Sequence, residues 1–220
     1  MVSPQQSREN FMKYYQPLLF SGFAILVLWV NGCAKDSAQV ANQQSKDQIF
    51  KDMLDPHQTK QAELAAGAKG KLAEDLLREL MQAMIQPPIT HAIKVCQEQA
   101  PLIAAQVAEE KKVRIGRTSF KLRNSSNQPP SWAETYVQSQ VQEEVYVQLP
   151  EDALGVLYPI KLQNTCLMCH GTQIPSDLKA AIASYYPRDQ ATGFSEGDLR
   201  GYFWVEVDQL RGSNELSADQ

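Results

Sequence analysis

The chain reads as an α+β protein with a small antiparallel sheet, and three observations predict it. A long block of helical periodicity comes first. Short β-prone segments follow, separated by connections rich in Pro, Gly, Asn and Asp. No internal repeat is present, and helices first with strands after is the α+β order. The 220 residues, 43% hydrophobic and 21% charged, suit one domain with an appendage. They exclude a collagen, a polytopic membrane protein and a wholly disordered chain. A net charge of −4 and a pI of about 5.4 argue against general nucleic-acid binding, so no nucleic-acid partner is expected.

Residues 1–32 read as a signal peptide. Arg8 and Lys13 precede an apolar run over 17–30, long enough for a signal h-region and short for a membrane span. The run ends in Val30-Asn31-Gly32-Cys33. A small residue followed at once by cysteine resembles a bacterial lipoprotein cleavage site, although Val30 and Asn31 depart from the usual Leu and small residue. An uncleaved anchor or an ordinary signal peptide is the alternative. On the lipoprotein reading Cys33 is lipidated and becomes the first mature residue, held at a membrane surface. Residues 33–57, rich in Gln, Ser, Asp and Lys, read as a flexible tether.

Residues 58–210 form the expected domain, and 211–220 a C-terminal tail. Over 58–85 the chain lacks Pro, and Leu72, Leu76, Leu80 and Met84 recur at i, i+4, widened by Leu77 and Met81. Pro87-Pro88 ends that helix. Thr90 is a candidate N-cap for a second helix carrying Ile93 and Cys96. Pro101 interrupts it and begins a further segment to about Glu110. Residues 113–118 are β-prone. A loop over 123–130 follows, then Ser131-Trp132-Ala133-Glu134 matches the start of a short helix. Strands are expected over 144–149, 155–162 and 201–207. Between the last two lie residues 166–170, a short helix near 178–183 and a Gly/Asp/Pro-rich loop. Trp132, Tyr158, Phe203 and Trp204 line either a pocket or the core, and core is the default for aromatics in strands.

The chemistry is concentrated in Cys166-Leu167-Met168-Cys169-His170. This C-x-x-C-H pattern is the signature of covalent c-type haem attachment. Two thiols at that spacing reach the two vinyl groups on one porphyrin edge, and the next residue sets an imidazole beneath the iron. The expected cofactor is therefore one covalent haem c, held by Cys166 and Cys169 with His170 as an axial ligand. Such attachment occurs outside the cytoplasm, in agreement with the export signal. A Cys-x-x-Cys disulfide is an alternative. A zinc site completed by Cys96 is another, but adjacent Cys169 and His170 are awkward donors to one tetrahedral ion.

For the second axial position the candidates are Cys96, His91, His57, Met53, Met81 and Met84. Cysteine arithmetic favours Cys96. Lipidation takes Cys33 and thioethers take Cys166 and Cys169, which leaves one free thiol in an oxidising compartment. Burial as a small hydrophobe is the alternative for Cys96. His91, five residues earlier, points about 140° away on a regular helix. Arg114, Arg117 and Arg123 are candidates for haem propionate contacts, since arginine suits bidentate carboxylate binding. A solvated strand edge and loop is their other reading.

As a set, several segments resemble a bacterial c-type haem domain family, first catalogued as a domain of unknown function. It occurs alone in cyanobacteria and as the extracytoplasmic part of signalling proteins. The matching landmarks are Val95-Cys96 with Ala100-Pro101, Arg114 to Ser119, Arg123-Asn124, Tyr158-Pro159-Ile160, Cys166 to Gly171, Gly193-Phe194 and Glu196 to Gly201. The resemblance implies a PAS-like α+β fold in which N-terminal helices and a small antiparallel sheet pack around one haem c. It also implies axial His170 and Cys96. A thiolate donor stabilises Fe(III), so the potential should be low, and reduction or CO or NO would weaken the Cys96 bond. The expected function is thus a redox or gas (CO or NO) sensor, exported and lipid-anchored in the periplasm, or in the thylakoid lumen of a cyanobacterium. It would signal to a separate redox or signalling partner. A one-electron carrier docking to membrane redox complexes is the alternative. No enzymatic activity is expected, because no triad, phosphate loop or open metal site is present.

Overall fold

The computed structural model describes residues 48–210. Cys33 and the segments 1–47 and 211–220, with the expected signal peptide, most of the tether and the tail, lie outside the described residues. The tether reading fails at its C-terminal end. Gln48–Ile49 forms strand β1, which pairs antiparallel with Val147 and Tyr146. A 3-10 turn at Lys51–Met53 follows, and Asp55 caps the first helix. Composition flagged these residues as polar, but an edge strand needs only backbone hydrogen bonds.

Helix α1 (Pro56–Ile85) starts on a complete capping box. The Asp55 side chain accepts from His57 N and Gln58 N at 2.8 Å, and Gln58 Oε1 accepts from Asp55 N at 3.0 Å. Its buried face is Gln61, Ala65, Ala68, Leu72 and Asp75. The small residues let the helix lie close on the sheet, and buried Gln61 donates through Nε2 to Asp152 O and Asp208 O. The expected leucine stripe is only half realised. Leu72 is fully buried and Leu76 partly, but Leu77, Met81 and Ile85 are exposed. Thirty residues extend about 45 Å, so the last turns run past the sheet.

Helix α2 (His91–Lys94), a π-helical turn (Val95–Gln99) and helix α3 (Ala100–Lys111) make one continuous helical stretch. Strand β2 (Arg114–Thr118) follows, then a loop, a 3-10 turn (Ser131–Ala133) and α4 (Glu134–Gln138). Strands β3 (Val145–Gln148) and β4 (Leu154–Lys161) form a hairpin. The chain then makes a 3-10 turn (Asn164–Cys166), α5 (Leu167–His170) and α6 (Ser176–Tyr185) before β5 (Leu199–Val207). The sheet is five-stranded and antiparallel in the order β1-β3-β4-β5-β2. This is the α+β, PAS-like arrangement.

Strand alternation divides the core in two. Tyr146, Leu154, Val156, Tyr158, Val205 and Val207 face α1 and α3. Val145, Val147, Leu157 and Tyr202 face α4, with Trp132 and Trp204 packed beside them. Tyr158 is thus a core side chain, and Trp132, Phe203 and Trp204 are partly buried against the core. Gly116 and Trp204 are cross-strand partners, and a Cβ on Gly116 would lie 2.6 Å from the indole ring. Gly116→Ala should therefore lower stability by about 1–3 kcal/mol through overpacking, read as a lower midpoint in urea unfolding; an unchanged midpoint would mean the indole can move aside.

Candidate functional site

The site is built on the insertion between the central strands β4 and β5. The run from the Asn164–Cys166 turn into α5 sets Cys166 and Cys169 three residues apart on one helical face, with His170 next. The two thiols enter different apolar clusters. Cys166 packs with Leu162, Ala191 and Phe194. Cys169 packs with Ile93, Leu178, Ile182 and Tyr186. Burial pushes the Cys169 thiol up, and Arg123 acts against that shift. Both cysteines are free thiols.

Ile93 joins the second cluster to α2, and so brings the following turn to the site. Pro101 explains that turn. It has no N–H for the Gln97 carbonyl, and its ring would clash there in a regular helix. The chain widens just before it, and Ala100 N donates to Val95 O, five residues back. Cys96 sits in this π-helical turn, half-buried, and Gln97 Nε2 donates to Tyr185 O at 3.2 Å. Cys96 lies within electrostatic range of Cys169, Tyr186 and Arg200. Sequence reasoning expected the proline to interrupt the helix but not the π turn.

His170 is oriented by a network that the sequence did not reveal. Its Nδ1 lies 2.7 Å from the Ala191 carbonyl. A carbonyl only accepts, so Nδ1 carries the proton and Nε2 keeps its lone pair. Ala191 O also accepts from Arg123 Nη2 at 3.1 Å. Arg123 in turn grips Asp189 through Nε at 3.1 Å and Nη2 at 3.3 Å, and reaches Cys169 O at 2.6 Å. Asp189 Oδ1 accepts from Ala191 N at 2.9 Å. Phe194 N donates to His170 O at 3.0 Å and Gly193 N to Gly171 O at 3.0 Å, closing the loop over α5. Burial first, then Arg200, Arg123 and Arg117, hold the His170 pKa down to about 3, so the ring is neutral near pH 7.

The other candidates stand elsewhere. His57 meets the backbone of Leu210 at 3.2 Å. His91 is exposed in a groove with Glu79, Gln82 and Glu98. Met53 and Met81 are exposed, and Met84 lies half-buried on α1. Of the three arginines expected at propionates, Arg114 is misplaced. It donates to Glu206 at 2.6 Å and Asp208 at 2.9 Å, at the end of β2 away from Thr118. Arg123 is at the site, but its carboxylate-gripping edge is taken by Asp189. Arg117 is half-buried and its charge acts on His170 and Arg200. Asp189 and Ala191 carried no signal and Arg200 stood only within the Glu196 to Gly201 landmark, because nothing local marks a residue that matters only through tertiary contact.

The donor set suits a haem c. It offers two free thiols on one face, a neutral imidazole with Nε2 unengaged, a third thiol near Cys169, and an excess of arginine for carboxylates. Cys166 and Cys169 are not joined to each other in this structure. The zinc reading lacks support, because among the described residues no three His, Cys, Asp or Glu side chains converge to hold an ion.

Two outcomes test this geometry. Arg123→Ala strands Asp189, whose side chain is 9% exposed, and should cost about 3–5 kcal/mol in urea unfolding; a loss under 1 kcal/mol would show the pair to be dispensable. The second concerns pH. The folded-state pKa of His170 lies below its ordinary 6.5, so the stability it contributes is complete above that value and is lost as pH falls towards 3. Acid unfolding of the haem-free chain should follow that window, and His170→Gln should flatten it; equal slopes would refute the assignment.

Comparison with known proteins bears on the family. Among curated proteins none matches. The fold is similar to the crystal structure of the cyanobacterial heme-protein Tll0287, at 20% identity and a TM-score of 0.53, covering 73% of this chain and 100% of that one. The family model described as Tll0287-like matches residues 34–208. That span takes in the helical stretch with Cys96, every strand of the sheet and the insertion carrying Cys166, Cys169 and His170, and the chain belongs to the Tll0287-like family.

Proposed function

We propose that this chain is a c-type haem protein. Cys166 and Cys169 would hold one haem through thioethers, and His170 and Cys96 would ligate its iron. We further propose that it is exported and tethered to a membrane through lipidated Cys33, in the periplasm or, in a cyanobacterium, the thylakoid lumen. The observation that carries the reading is His170 held neutral, with Nδ1 on Ala191 O, directly beside two free thiols. When bound, the haem supplies a one-electron iron couple. The rest is the work of the chain. Ala191 O orients the imidazole and raises its basicity as a ligand. Ile93, Leu178, Ile182 and Tyr186 keep water from Cys169. The π turn lets Cys96 approach from the helical side.

That turn favours sensing over electron carriage. A carrier works best when its ligands stay fixed. Here the second ligand rides on an irregular, half-buried turn between two helices, where release of the thiol can shift α2 against α6. The partner in this reading is a separate redox or signalling protein, and the effector is a change of redox state or a diatomic gas, CO or NO.

The test is optical and EPR spectroscopy of the mature chain, made in cells that mature c-type cytochromes, beside Cys96→Ser. The expected result is a low-spin thiolate signature that the substitution abolishes, with haem surviving denaturing electrophoresis unless Cys166 and Cys169 are replaced. A parent spectrum unchanged by Cys96→Ser would overturn the ligand assignment. Loss of the thiolate signature on reduction, with CO or NO binding, is expected of the sensor. Fast reversible reduction without ligand exchange would instead identify the carrier.

A further inference from the structure

We propose that Arg200 and Arg117 form a carboxylate-binding subsite that receives the haem propionates; the inference rests on the haem reading above. Arg200 is the extra residue of a β-bulge. Ile160 pairs with Gly201 and Lys161 with Leu199, so Arg200 has no partner across the ladder. Bulges re-aim a side chain. Glycine at 201 makes this one possible, because a Cβ there would lie 2.3 Å from Thr118 O.

The guanidinium is fixed on one side and unfilled on the other. Nη1 donates to Ser119 Oγ at 2.9 Å and Lys121 O at 3.1 Å, and Ser119 Oγ donates to Arg200 O at 2.7 Å. Nε is buried without an acceptor, and Nη2 meets none among the described residues. Nε and Nη2 are the edge that grips a carboxylate with two parallel bonds. Arg123 applies that same edge to Asp189. Among the described residues no carboxylate is ion-paired with Arg200 or Arg117, whereas Arg114 has two and Arg123 one.

A buried donor left empty is costly, and a buried cation without a counter-charge more so. Three arginines with only Asp189 among them leave an excess of positive charge. Burial, then Arg123 and Arg117, lower the Arg200 pKa to about 10, in keeping with that crowding. The Arg200 guanidinium lies 5.8 Å from the Phe194 ring, Phe194 N donates to His170 O, and Arg117 stands on β2 two residues before Ser119, which Arg200 grips, so the subsite borders His170. A carboxylate between them would fill the empty edge and offset the charge.

The experiment compares the loaded wild type with Arg200→Gln, Arg200→Lys, Arg117→Gln and, as a control on the opposite end of β2, Arg114→Gln. Haem content is read by pyridine haemochrome, midpoint potential by spectroelectrochemistry, and propionate bending by resonance Raman. The expected result is a lower potential and a shifted propionate band in Arg200→Gln and Arg117→Gln. Arg200→Lys should keep most of the potential but not the band, and Arg114→Gln should change neither. Unchanged potential and band in loaded Arg117→Gln and in whichever Arg200 variant folds would overturn the subsite while leaving the haem reading standing. A wild type carrying no covalent haem would overturn both.

Discussion

Arg123 and Asp189 are each less than a tenth exposed, and either charge is tolerable there only because the other is present. Their bond reaches beyond the pair. Asp189 also accepts from Ala191 N, and Arg123 donates to Ala191 O and Cys169 O. One guanidinium thereby fixes the loop after α6 and the end of α5 relative to each other. The carbonyl held this way sets the proton on His170 Nδ1. Without it the imidazole has no defined tautomer, and α5 loses a side-chain tie to the loop that covers it, keeping the backbone bonds from Gly193 and Phe194. A buried ion pair is weak evidence for stability. Its contribution here is to orient groups whose chemistry depends on direction.

The frame for this network is the middle of the sheet. The insertion that carries Cys166, Cys169, His170, Asp189 and Ala191 leaves from β4 and returns into β5, two adjacent central strands. Leu162 N donates to Asp198 O and Gly197 N to Leu162 O, so the two stems are joined where the insertion begins. The opposite wall comes from the helical stretch, which α1 and the sheet hold in place through Ala65, Ala68, Leu72 and Val107. Cys96 therefore stands on an element held from two sides, by α1 and the sheet and by the contacts of Ile93 and Gln97 with α6 and the residues just after it.

How much of this was legible in the sequence follows from the range of the interactions. Thioether attachment demands contiguous residues, so Cys166, Cys169 and His170 stood out at once. Period-2 and period-3.6 patterns are local as well, and the four longer strands and main helices lie within a few residues of their expected bounds. Cys96 was reached only by counting thiols and by family resemblance. What needs tertiary knowledge was misread. Gln48–Ile49 is a strand because Tyr146 and Val147 are beside it. Leu77 and Met81 are exposed because they lie about 140° and 180° around α1 from buried Leu72. Arg114 and Arg123 looked like equal propionate candidates until Glu206 and Asp189 were seen to hold them. Arg200 entered only as part of the Glu196 to Gly201 landmark and without a role, since a bulge is a relation between two strands.

Three irregularities meet at the site: the π turn at Cys96, the 3-10 turn running into α5 at Cys166, and the bulge at Arg200. Each departs from the hydrogen-bond pattern of its element, and each is a less stable arrangement than the regular one. A regular helix through Pro101 would clash with Gln97 O. A bulge-free β5 would pair Arg200 across the ladder and turn its side chain to another face. The rest of the sheet keeps its register from Val145 to Val207, so the departures are not general looseness. All three border the insertion between β4 and β5, an arrangement that selection for a site produces and that selection for stability alone would remove. The fold is regular where it supports and irregular where it presents Cys96, Cys166 and Arg200.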